Sequence, residues 1–342
     1  MSLFLRPAAR LPSAAGVAWR MTSLRRLGAA LAAALAASTV LPAFGEYPDR
    51  PIRIITASPG TLMDVVARHV AARLSERWGQ PVVVENRGGA SFTIGTGMVA
   101  HAKPDGYTLV VSDRTALTTA PHLYKDLPYD ALRDFTPVTL AAVAPLALVA
   151  HPSVPAANMR ELVEYARAHA GLHFASQGQY TTGHYAGELL RVEAGIAPEY
   201  VHYKGAAESQ RAILAGEVLV GFNNAAAMYP LVADGRLKAY AVTSRQRIAA
   251  APNLPTVGEA GYPGVELESW VGVLVPATTS KAVVDKLNQG IVAVLKTAEV
   301  RAALLLQGAE VAPGTPEEFA ARIRADHARV GADFKRIGFG AD

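Results

Sequence analysis

The chain contains 342 residues, of which 51% are hydrophobic, 18% are charged and none is cysteine. That length allows two domains with large cores, and the lack of cysteine excludes disulfides, thiolate catalysis and cysteine-ligated zinc sites. Because residues 1–45 contain five arginines and no acid, the remainder has 28 basic and 29 acidic residues, so the formal net charge of +4 does not indicate a nucleic-acid-binding surface.

The N-terminal region has the organisation of an export signal. A short basic segment begins at Met21, an apolar, alanine-rich stretch covers 27–40, and a small-x-small pattern at 43–45 precedes Glu46. The apolar stretch is shorter than the ~20 residues that a membrane span needs, so a cleaved signal is favoured over an uncleaved anchor. We therefore predict that residues 1–45 are an N-terminal extension and cleaved signal peptide, and that export uses the Sec rather than the twin-arginine route.

From about residue 50, segments typical of strands alternate with segments typical of helices. The strand segments are short, apolar and rich in β-branched residues, as buried strands are. They cover 52–56, 81–85, 107–112, 146–150, 172–176, 200–203, 217–222, 237–242 and 270–275. This alternation predicts an α/β fold with open, largely parallel sheets and right-handed crossovers.

The helical segments carry start signals of several kinds. Between Asp64 and Trp78, apolar residues recur every four positions, which predicts an amphipathic helix. Further helices are indicated by an N-cap and its acidic partner at Asn158 and Glu161, by a cap, a proline and two acids at 315–318, and by the segments 280–295 and 299–306.

Two extended segments bounded by proline are typical of crossings between domains. They cover 145–152 and 268–276. If these segments pair as hinge strands, the first domain consists of 46–147 together with 272–342, and the second domain is 148–271. The sequence thus predicts two α/β lobes with a cleft between them.

The junction at 174–190, F-A-S-Q-G-Q-Y-T-T-G-H-Y-A-G-E-L-L, places small polar residues between a strand and a helix. The first N–H groups of a helix have no partner within the helix, and the helix dipole makes that end positive. A carboxylate can therefore be held there without a nearby Lys or Arg. The alternative is that Thr181 or Thr182 caps the helix and that nothing binds.

The same pattern recurs at other strand ends. Residues 58–64 follow the first strand, with Thr61 and Asp64 at the spacing of a capping box. Residues 112–117 follow the third strand, 204–207 follow another, and Asn223 with Asn224 follows the seventh. Ligands of open α/β sheets lie beyond the carboxyl ends of strands, so five such ends, drawn from both predicted lobes, favour a binding cleft. The alternative is that these loops are polar only because loops of α/β proteins generally are.

Other motifs give weaker indications. The segment 95–100 matches G-x-G-x-x-A, but it lies too far after a strand to indicate a dinucleotide site. His169 and His173 are separated by Gly171, which we expect to end a helix, so no metal site is indicated. Neither a G-x-S-x-G elbow nor an H-E-x-x-H motif is present. Trp270, at the second crossing, serves either core packing or the wall of the cleft.

A set of short motifs occurs in order over nearly the whole mature chain. They are Y-P-D-R-P-I-R-I-I at 47–55, G-Q-P-V-V-V-E-N-R at 79–87, P-D-G-Y-T-L at 104–109, L-P-Y-D at 127–130, D-F-T-P-V at 134–138, H-Y-A-G-E-L at 184–189, Y-K-G at 203–205, A-V-T-S at 241–244, P-T-V-G-E-A-G at 255–261 and S-W-V-G at 269–272. With these motifs the chain resembles the substrate-binding proteins of tripartite tricarboxylate transporters, the Bug family.

The resemblance implies a periplasmic protein with a type II-like binding-protein fold, in which two lobes are joined by two crossing hinge strands. It implies a monomer that binds a small organic carboxylate in the interlobe cleft, without cofactor, metal or nucleic acid, and delivers it to the membrane permease subunits of a secondary transporter. The family holds carboxylates through amides, hydroxyls and bridging waters at positions that correspond here to Ser58 to Asp64 and Ser176 to His184.

The candidate ligand-binding residues come from these two loops, the other strand ends and the second crossing. They are Ser58, Gly60, Thr61, Met63, Asp64, Arg114, Thr115, Ser176, Gln177, Gly178, Tyr180, Thr181, Thr182, His184, Lys204, Gly205, Asn223 and Trp270. No catalytic residue and no metal ligand is expected.

The chain departs from the family pattern at the predicted site. The first loop, 57–64, is one residue shorter and poorer in glycine than the usual Pro-Phe-Pro stretch with its glycines, and Leu62 and Met63 add apolar surface. Tyr180 stands where a small residue is usual, and Asn223 replaces a frequent Asp, which weakens the case for an ammonium-bearing ligand. We therefore hypothesise a carboxylate with an apolar or aromatic body rather than a small dicarboxylate.

Two other functions remain open from the sequence. One is a sensor subunit whose closed form docks on a signalling protein instead of a permease. The other is an exported carboxylate-processing enzyme with His184 or Asp64 as the base. No nucleophile–base set is visible, so a binding protein is favoured over an enzyme.

Overall fold

One long strand, β4 (Phe135–Ala150), runs through the middle of the molecule. The computed structural model describes residues 47–339. The other strands are β1 (Ile52–Thr56), β2 (Val82–Asn86), β3 (Thr108–Asp113), β5 (His173–Ser176), β6 (Glu199–His202), β7 (Val220–Asn224), β8 (Lys238–Val242), β9 (Glu268–Pro276) and β10 (Glu310–Val311). The α-helices are α1 (Leu62–Trp78), α2 (Thr93–Ala100), α3 (Ala120–Leu123), α4 (Met159–Ala168), α5 (Thr182–Ala194), α6 (Ala206–Ala215), α7 (Ala225–Ala233), α8 (Lys281–Leu295), α9 (Ala298–Leu306) and α10 (Pro316–Ile337).

Most predicted elements are found within a few residues of their expected bounds, but β4 and β7 differ. β4 begins at Phe135 rather than 146 and contains two prolines, Pro137 and Pro145. The pairing of β4 with β9 shifts register at Pro137, where a backbone N–H is missing. β7 begins at Val220 rather than 217, because Glu217 and Val218 still donate their N–H groups to Ala212 at the end of α6.

Two sets of parallel strands flank β4. β2, β1 and β3 pair in parallel in one half of the sheet, and β6, β5 and β7 approach from the other half, with β5 parallel to both of its neighbours. β9 pairs antiparallel with both β3 and β4. The predicted α/β lobes joined by crossing strands are therefore present, with more antiparallel pairing at the hinge than expected. The predicted residue boundaries of the two lobes stay a prediction.

The register along β4 directs the carboxyl ends of the two parallel sets toward each other. β3 ends at Asp113, which pairs with Val271 of β9, and Val271 pairs with Ala142 of β4. β7 runs in the opposite direction and ends at Asn224, opposite Leu146. The two ends are thus separated along β4 by about four residues, or ~13 Å. Loops that follow β1, β3, β5, β6 and β7 consequently line one interlobe cleft.

Helix α10 joins the cores of both lobes. Its first half buries Phe319 and Ile323 with the core of lobe 1, the half of the sheet that contains β1 to β3. Its second half buries Val330 and Phe334 with the core of lobe 2, which contains β5 to β7. The predicted capping box at Thr315 is present, so this bridging helix has a fixed start.

The predicted signal peptide lies outside the described residues. Within 47–339, no helix is both long enough and apolar enough to cross a membrane.

A second contact between the lobes lies where β7 meets α7. Asn224 Nδ2 donates to the backbone oxygen of Gln307 at 3.0 Å, while Asn224 Oδ1 accepts from Ala226 N and caps α7. Gly308 lies against this side chain with φ 72°, and a Cβ added there would overlap the Asn224 amide. The contact therefore requires glycine at 308 for two reasons, the positive φ and the close approach.

We predict that Gly308→Ala lowers the free energy of unfolding by about 2 kcal/mol in urea denaturation. About 1 kcal/mol comes from the positive φ, and about 1 kcal/mol from the lost Asn224 hydrogen bond. Gly235→Ala is the matched control, because Gly235 has φ 70° but no atom within 4 Å of an added Cβ. Asn224→Ser removes the same hydrogen bond while keeping a capping oxygen, so adding Gly308→Ala to Asn224→Ser should cost only the ~1 kcal/mol of the positive φ. Equal losses in the two alanine variants would contradict this interlobe contact.

Candidate functional site

Two loops at the interlobe cleft have the same backbone construction. Loop 1 (residues 56–64) connects β1 to α1, and loop 2 (residues 176–184) connects β5 to α5. Each helix begins after a threonine N-cap, Thr61 or Thr181, in extended conformation. Both of the N-caps that the sequence suggested are therefore confirmed.

The hydrogen bonds around the two caps correspond. Thr61 Oγ1 donates to the Ser58 oxygen at 2.8 Å, and Thr181 Oγ1 donates to the Gly178 oxygen at 2.8 Å. The residue before each cap has positive φ, 78° at Gly60 and 61° at Tyr180. This repeat was not recognised in the sequence, where only T-x-x-D and T-x-x-H at the same distance from a strand indicate it.

In both loops the third helical residue closes the turn through its side chain. In loop 1, Asp64 Oδ2 accepts from Gly60 N at 3.0 Å. In loop 2, His184 Nδ1 accepts from Tyr180 N at 3.0 Å. An acceptor at this ring nitrogen places the imidazole proton on Nε2. The two loops thus use a carboxylate and a neutral imidazole for the same purpose.

Loop 1 keeps a negative charge that its neighbours balance. Asp64 is 3% exposed, and its carboxylate accepts from Arg68 Nε at 2.9 Å and from Asn86 Nδ2 at 2.8 Å. Although burial opposes ionisation, hydrogen bonds from Arg68, Asn86 and Gly60 hold the pKa of Asp64 below its ordinary value. Both carboxylate oxygens are therefore engaged inside loop 1, and Asp64 holds the loop.

Loop 2 is uncharged where α5 begins. His184 is buried among rings, with Tyr200 and His202 at centroid distances of 4.5 and 4.8 Å. Burial, with the adjacent His202, lowers the pKa of His184 to about 4. The first turn of α5 contains no acidic residue. The positive end of the α5 dipole is therefore not offset by a side-chain charge.

Asn223 connects loop 2 to the neighbouring strand ends. It is 1% exposed, its Oδ1 accepts from Gln177 Nε2 at 2.8 Å, and its Nδ2 donates to the Ala206 oxygen at 3.4 Å. Ser176 Oγ also donates within loop 2, to the Gly178 oxygen at 2.7 Å. The structure thus brings the predicted residues of β5, α6 and β7 into one polar group.

Lys204 and Gly205 lie at the edge of this group. Lys204 is exposed, and its backbone N donates to Glu208 Oε2 at 3.1 Å. Gly205, with φ 142°, precedes α6 as predicted.

Arg114 and Trp270 are directed away from the cleft. Arg114 is 2% exposed, lies over the Tyr185 ring at 5.1 Å and pairs with Asp326 of α10 at 3.9 Å. Trp270 is fully buried, and its indole Nε1 donates to Asp326 Oδ2 at 2.6 Å. Of the two roles considered for Trp270, core packing is correct, because α10 covers this face of β9. Both residues hold α10 instead of presenting a surface to a ligand.

The strand end that precedes Arg114 also uses its polar atoms locally. Asp113 Oδ1 accepts from Ala116 N at 2.9 Å, and burial raises the pKa of Asp113 to about 6. Thr115, half-buried, begins a π-helical segment at the cleft.

A polar cavity of about 420 Å³ lies beside the hinge, and of the candidate residues only Arg114 lines it. Its other polar lining residues include Thr243, Ser244, Glu268, Arg322, Asp326 and Arg329. Their charges pair within the protein, as Arg322 does with Asp326 at 2.9 Å and Glu268 at 3.1 Å. Sequence analysis missed this group, although Arg322, Asp326, Arg329 and Asp333 recur at helical spacing on α10.

The structure supports neither a metal site nor a dinucleotide site in the described residues. In the described part of the chain, no three His, Asp or Glu side chains are placed to hold a metal ion. The G-x-G-x-x-A segment lies inside α2 and does not join a strand to a helix, which a dinucleotide site requires.

We predict that His184→Asn, which keeps an acceptor for Tyr180 N, flattens the dependence of stability on pH. Unfolded histidine, with a pKa of about 6.5, takes up a proton at a pH where folded His184 does not. Wild-type stability is therefore lost as pH falls from about 6.5 to about 4, by up to ~3 kcal/mol from this residue. Denaturation curves at several pH values would measure the free energy of unfolding of both proteins. The difference between wild type and variant should stay constant above pH ~7 and narrow as the pH falls from about 6.5 to about 4. A constant difference throughout would contradict a buried, neutral His184.

Comparison with known proteins connects this geometry to one family. Residues 66–339 match the family model described as tripartite tricarboxylate transporter family receptor. Protein BugT of Bordetella pertussis is 34% identical over 275 residues, covering 80% of this chain and 84% of that protein.

Two solved structures from Rhodopseudomonas palustris are similar over nearly their whole length. Rpa4515 with adipate is 33% identical with a TM-score of 0.75, covering 87% of this chain and 100% of that one. MatC with bound malate is 29% identical with a TM-score of 0.71, covering 85% and 100% respectively. The predicted fold is thereby confirmed, and the chain belongs to the tripartite tricarboxylate transporter receptor family, the Bug-type periplasmic solute-binding proteins.

Proposed function

We propose that this protein captures a small organic carboxylate in the periplasm and delivers it, as a monomer, to the membrane permease of a tripartite tricarboxylate-type transporter. The observation that supports this most is the start of α5, where an uncharged, hydroxyl-bearing turn opens a 13-residue helix at the interlobe cleft.

The start of α5 has the properties of a carboxylate site. The N–H groups of Thr182 and Gly183 have no acceptor within the helix, and the Thr182 hydroxyl can donate beside them. The dipole favours an anion at this end. Because His184 is neutral and no acid lies in the first turn, nothing in loop 2 repels a carboxylate.

Loop 1 has the same backbone but a different surface. Leu62 and Met63 occupy the positions that Thr182 and Gly183 occupy in loop 2, and Asp64 keeps its charge there. A second carboxylate at loop 1 would meet the apolar side chains of Leu62 and Met63 in place of a hydroxyl and a glycine, whereas an apolar group would pack against them. We therefore infer a ligand with its carboxylate at loop 2 and an apolar or aromatic body toward loop 1.

The geometry favours binding over catalysis. An enzyme on this scaffold would use His184 or Asp64 as a base. His184 Nδ1 already accepts from Tyr180 N, and its ring is buried. Both oxygens of Asp64 accept hydrogen bonds within the protein. Neither group is free to take a proton from a ligand.

The related structures support a carboxylate as the class of ligand. Adipate and malate are named for Rpa4515 and MatC respectively. Both are dicarboxylates, so the apolar body inferred here distinguishes this chain from those two relatives.

We predict that a thermal-shift panel of mono-, di- and aromatic carboxylates yields its largest shifts with longer or aromatic acids. At about 100 times its dissociation constant, a ligand adds about 2.7 kcal/mol of stability, enough to raise the melting temperature by a few degrees. A preference for succinate or citrate over benzoate-like and longer acids would contradict the apolar body. No shift with any acid would contradict the proposed carboxylate class.

Thr182→Leu and Leu62→Thr form a matched pair of variants, because each puts the residue of one loop at the equivalent position of the other. We predict that Thr182→Leu weakens binding of the best acid at least about tenfold, or ~1.4 kcal/mol, by removing a donor and blocking the helix start. Leu62→Thr should retain the carboxylate contact and lose affinity only for the apolar body. Calorimetric titration would measure both, and an unaffected Thr182→Leu would contradict a site at α5.

A further inference from the structure

Phe339, which follows the end of α10, lies against loop 2. Its ring contacts Tyr180 edge-on at a centroid distance of 5.3 Å and lies 5.1 Å from the imidazole of His184. It also packs against Phe334 of α10 at 5.3 Å. Residues near a chain end are poorly ordered unless contacts hold them. Here such contacts lead from the core of lobe 2, through Phe334, to the proposed carboxylate loop.

Loop 2 needs support of this kind because its backbone is strained. Tyr180 has φ 61°, a conformation that costs a non-glycine residue on the order of 1 kcal/mol. Tyr180 N is held by one hydrogen bond, to His184 Nδ1, beside the bonds that Thr181 Oγ1 and Ser176 Oγ donate to the Gly178 oxygen. The turn therefore depends on the position of the His184 ring, and that ring must keep Nδ1 free of a proton.

Loop 1 is held by two features that loop 2 lacks, a glycine before the cap and charged or polar partners for the closing side chain. In loop 1 the equivalent residue is Gly60, which adopts positive φ at no steric cost. The side chain that closes loop 1, Asp64, is fixed by Arg68 and Asn86. Loop 2 has no glycine at position 180, and His184 has no charged partner like those of Asp64. The imidazole of His184 is held instead by neighbouring aromatic rings. Tyr200, His202 and Phe339 are among the described rings that surround His184. Of these three, Phe339 also contacts Tyr180.

We propose that Phe339 is a positioning residue of the carboxylate site, which holds the His184 ring against the Tyr180 amide and so fixes the start of α5. This inference rests on the proposed function, since it assigns a role to Phe339 in that site.

The test uses the mature chain with Phe339→Ala and two readouts that need no ligand. Hydrogen exchange of the loop 2 amides should accelerate at least about tenfold, while exchange in loop 1 stays unchanged. In NMR spectra, wild-type His184 should carry its proton on Nε2. In the variant its pKa should move from about 4 toward the ordinary value of 6.5 as the ring becomes exposed. Affinity for benzoate, used as the probe acid, should fall about tenfold.

Two further variants separate positioning from general stability. Ile337→Ala removes a core side chain of the same helix, so it should lower the melting temperature without accelerating exchange in loop 2. Phe339→Leu keeps an apolar side chain against His184 and should restore most of the protection. Unchanged loop 2 exchange in Phe339→Ala, or equal acceleration in Ile337→Ala, would overturn the proposal. If the wild-type protein binds no acid, that result contradicts the proposed function. The hydrogen exchange of the loop 2 amides in Phe339→Ala then still decides the role of Phe339.

Discussion

The pairing of β4 on both of its edges is the constraint on which the rest of the structure depends. In lobe 1, β4 pairs with β9 and β10, and in lobe 2 it pairs with β7 and β8. Because the parallel strands of each lobe take their direction from these partners, their carboxyl ends are turned toward each other. The polar loops at those ends then share one cleft, although they come from segments far apart in sequence.

Within that cleft, one backbone turn provides two different chemical surfaces. Loops 1 and 2 have the same cap, the same positive φ and the same closing hydrogen bond, so their backbones present helix N–H groups alike. The difference lies in three positions, where Leu62, Met63 and Asp64 correspond to Thr182, Gly183 and His184. A loop with apolar side chains, whose Asp64 is paired with Arg68, faces an uncharged, hydroxyl-bearing one. In the proposed function, the side chains at these three positions therefore orient a ligand with one acidic end, because the backbones of the two loops are nearly alike.

The features that could be predicted from the sequence are those that local chemistry decides. The caps at Thr61, Asn158, Thr181 and Thr315 depend on residues three apart, and all four are present. The alternation of strands and helices likewise follows from periodicity. The bounds of β4 were wrong because proline in a paired strand is accommodated by a register shift, which depends on β9. The burial of Arg114 and Trp270 could not be predicted because nothing local shows that α10 covers them, and Phe339 contacts a loop more than 150 residues earlier in the chain.

Helix α10 and the hinge cavity together bear on how the two lobes can move. Because the halves of α10 are buried in different cores, a rigid separation of the lobes would pull one half out of its core. Motion must instead occur by bending where β4, β9 and α10 pass one another. The cavity of about 420 Å³ lies at that place, lined by polar and charged side chains that water can solvate. Arg322 pairs there with Asp326 and Glu268, so the ion pairs at the hinge join α10 to β9. A change in the width of the cleft would have to rearrange these ion pairs while both halves of α10 stay buried.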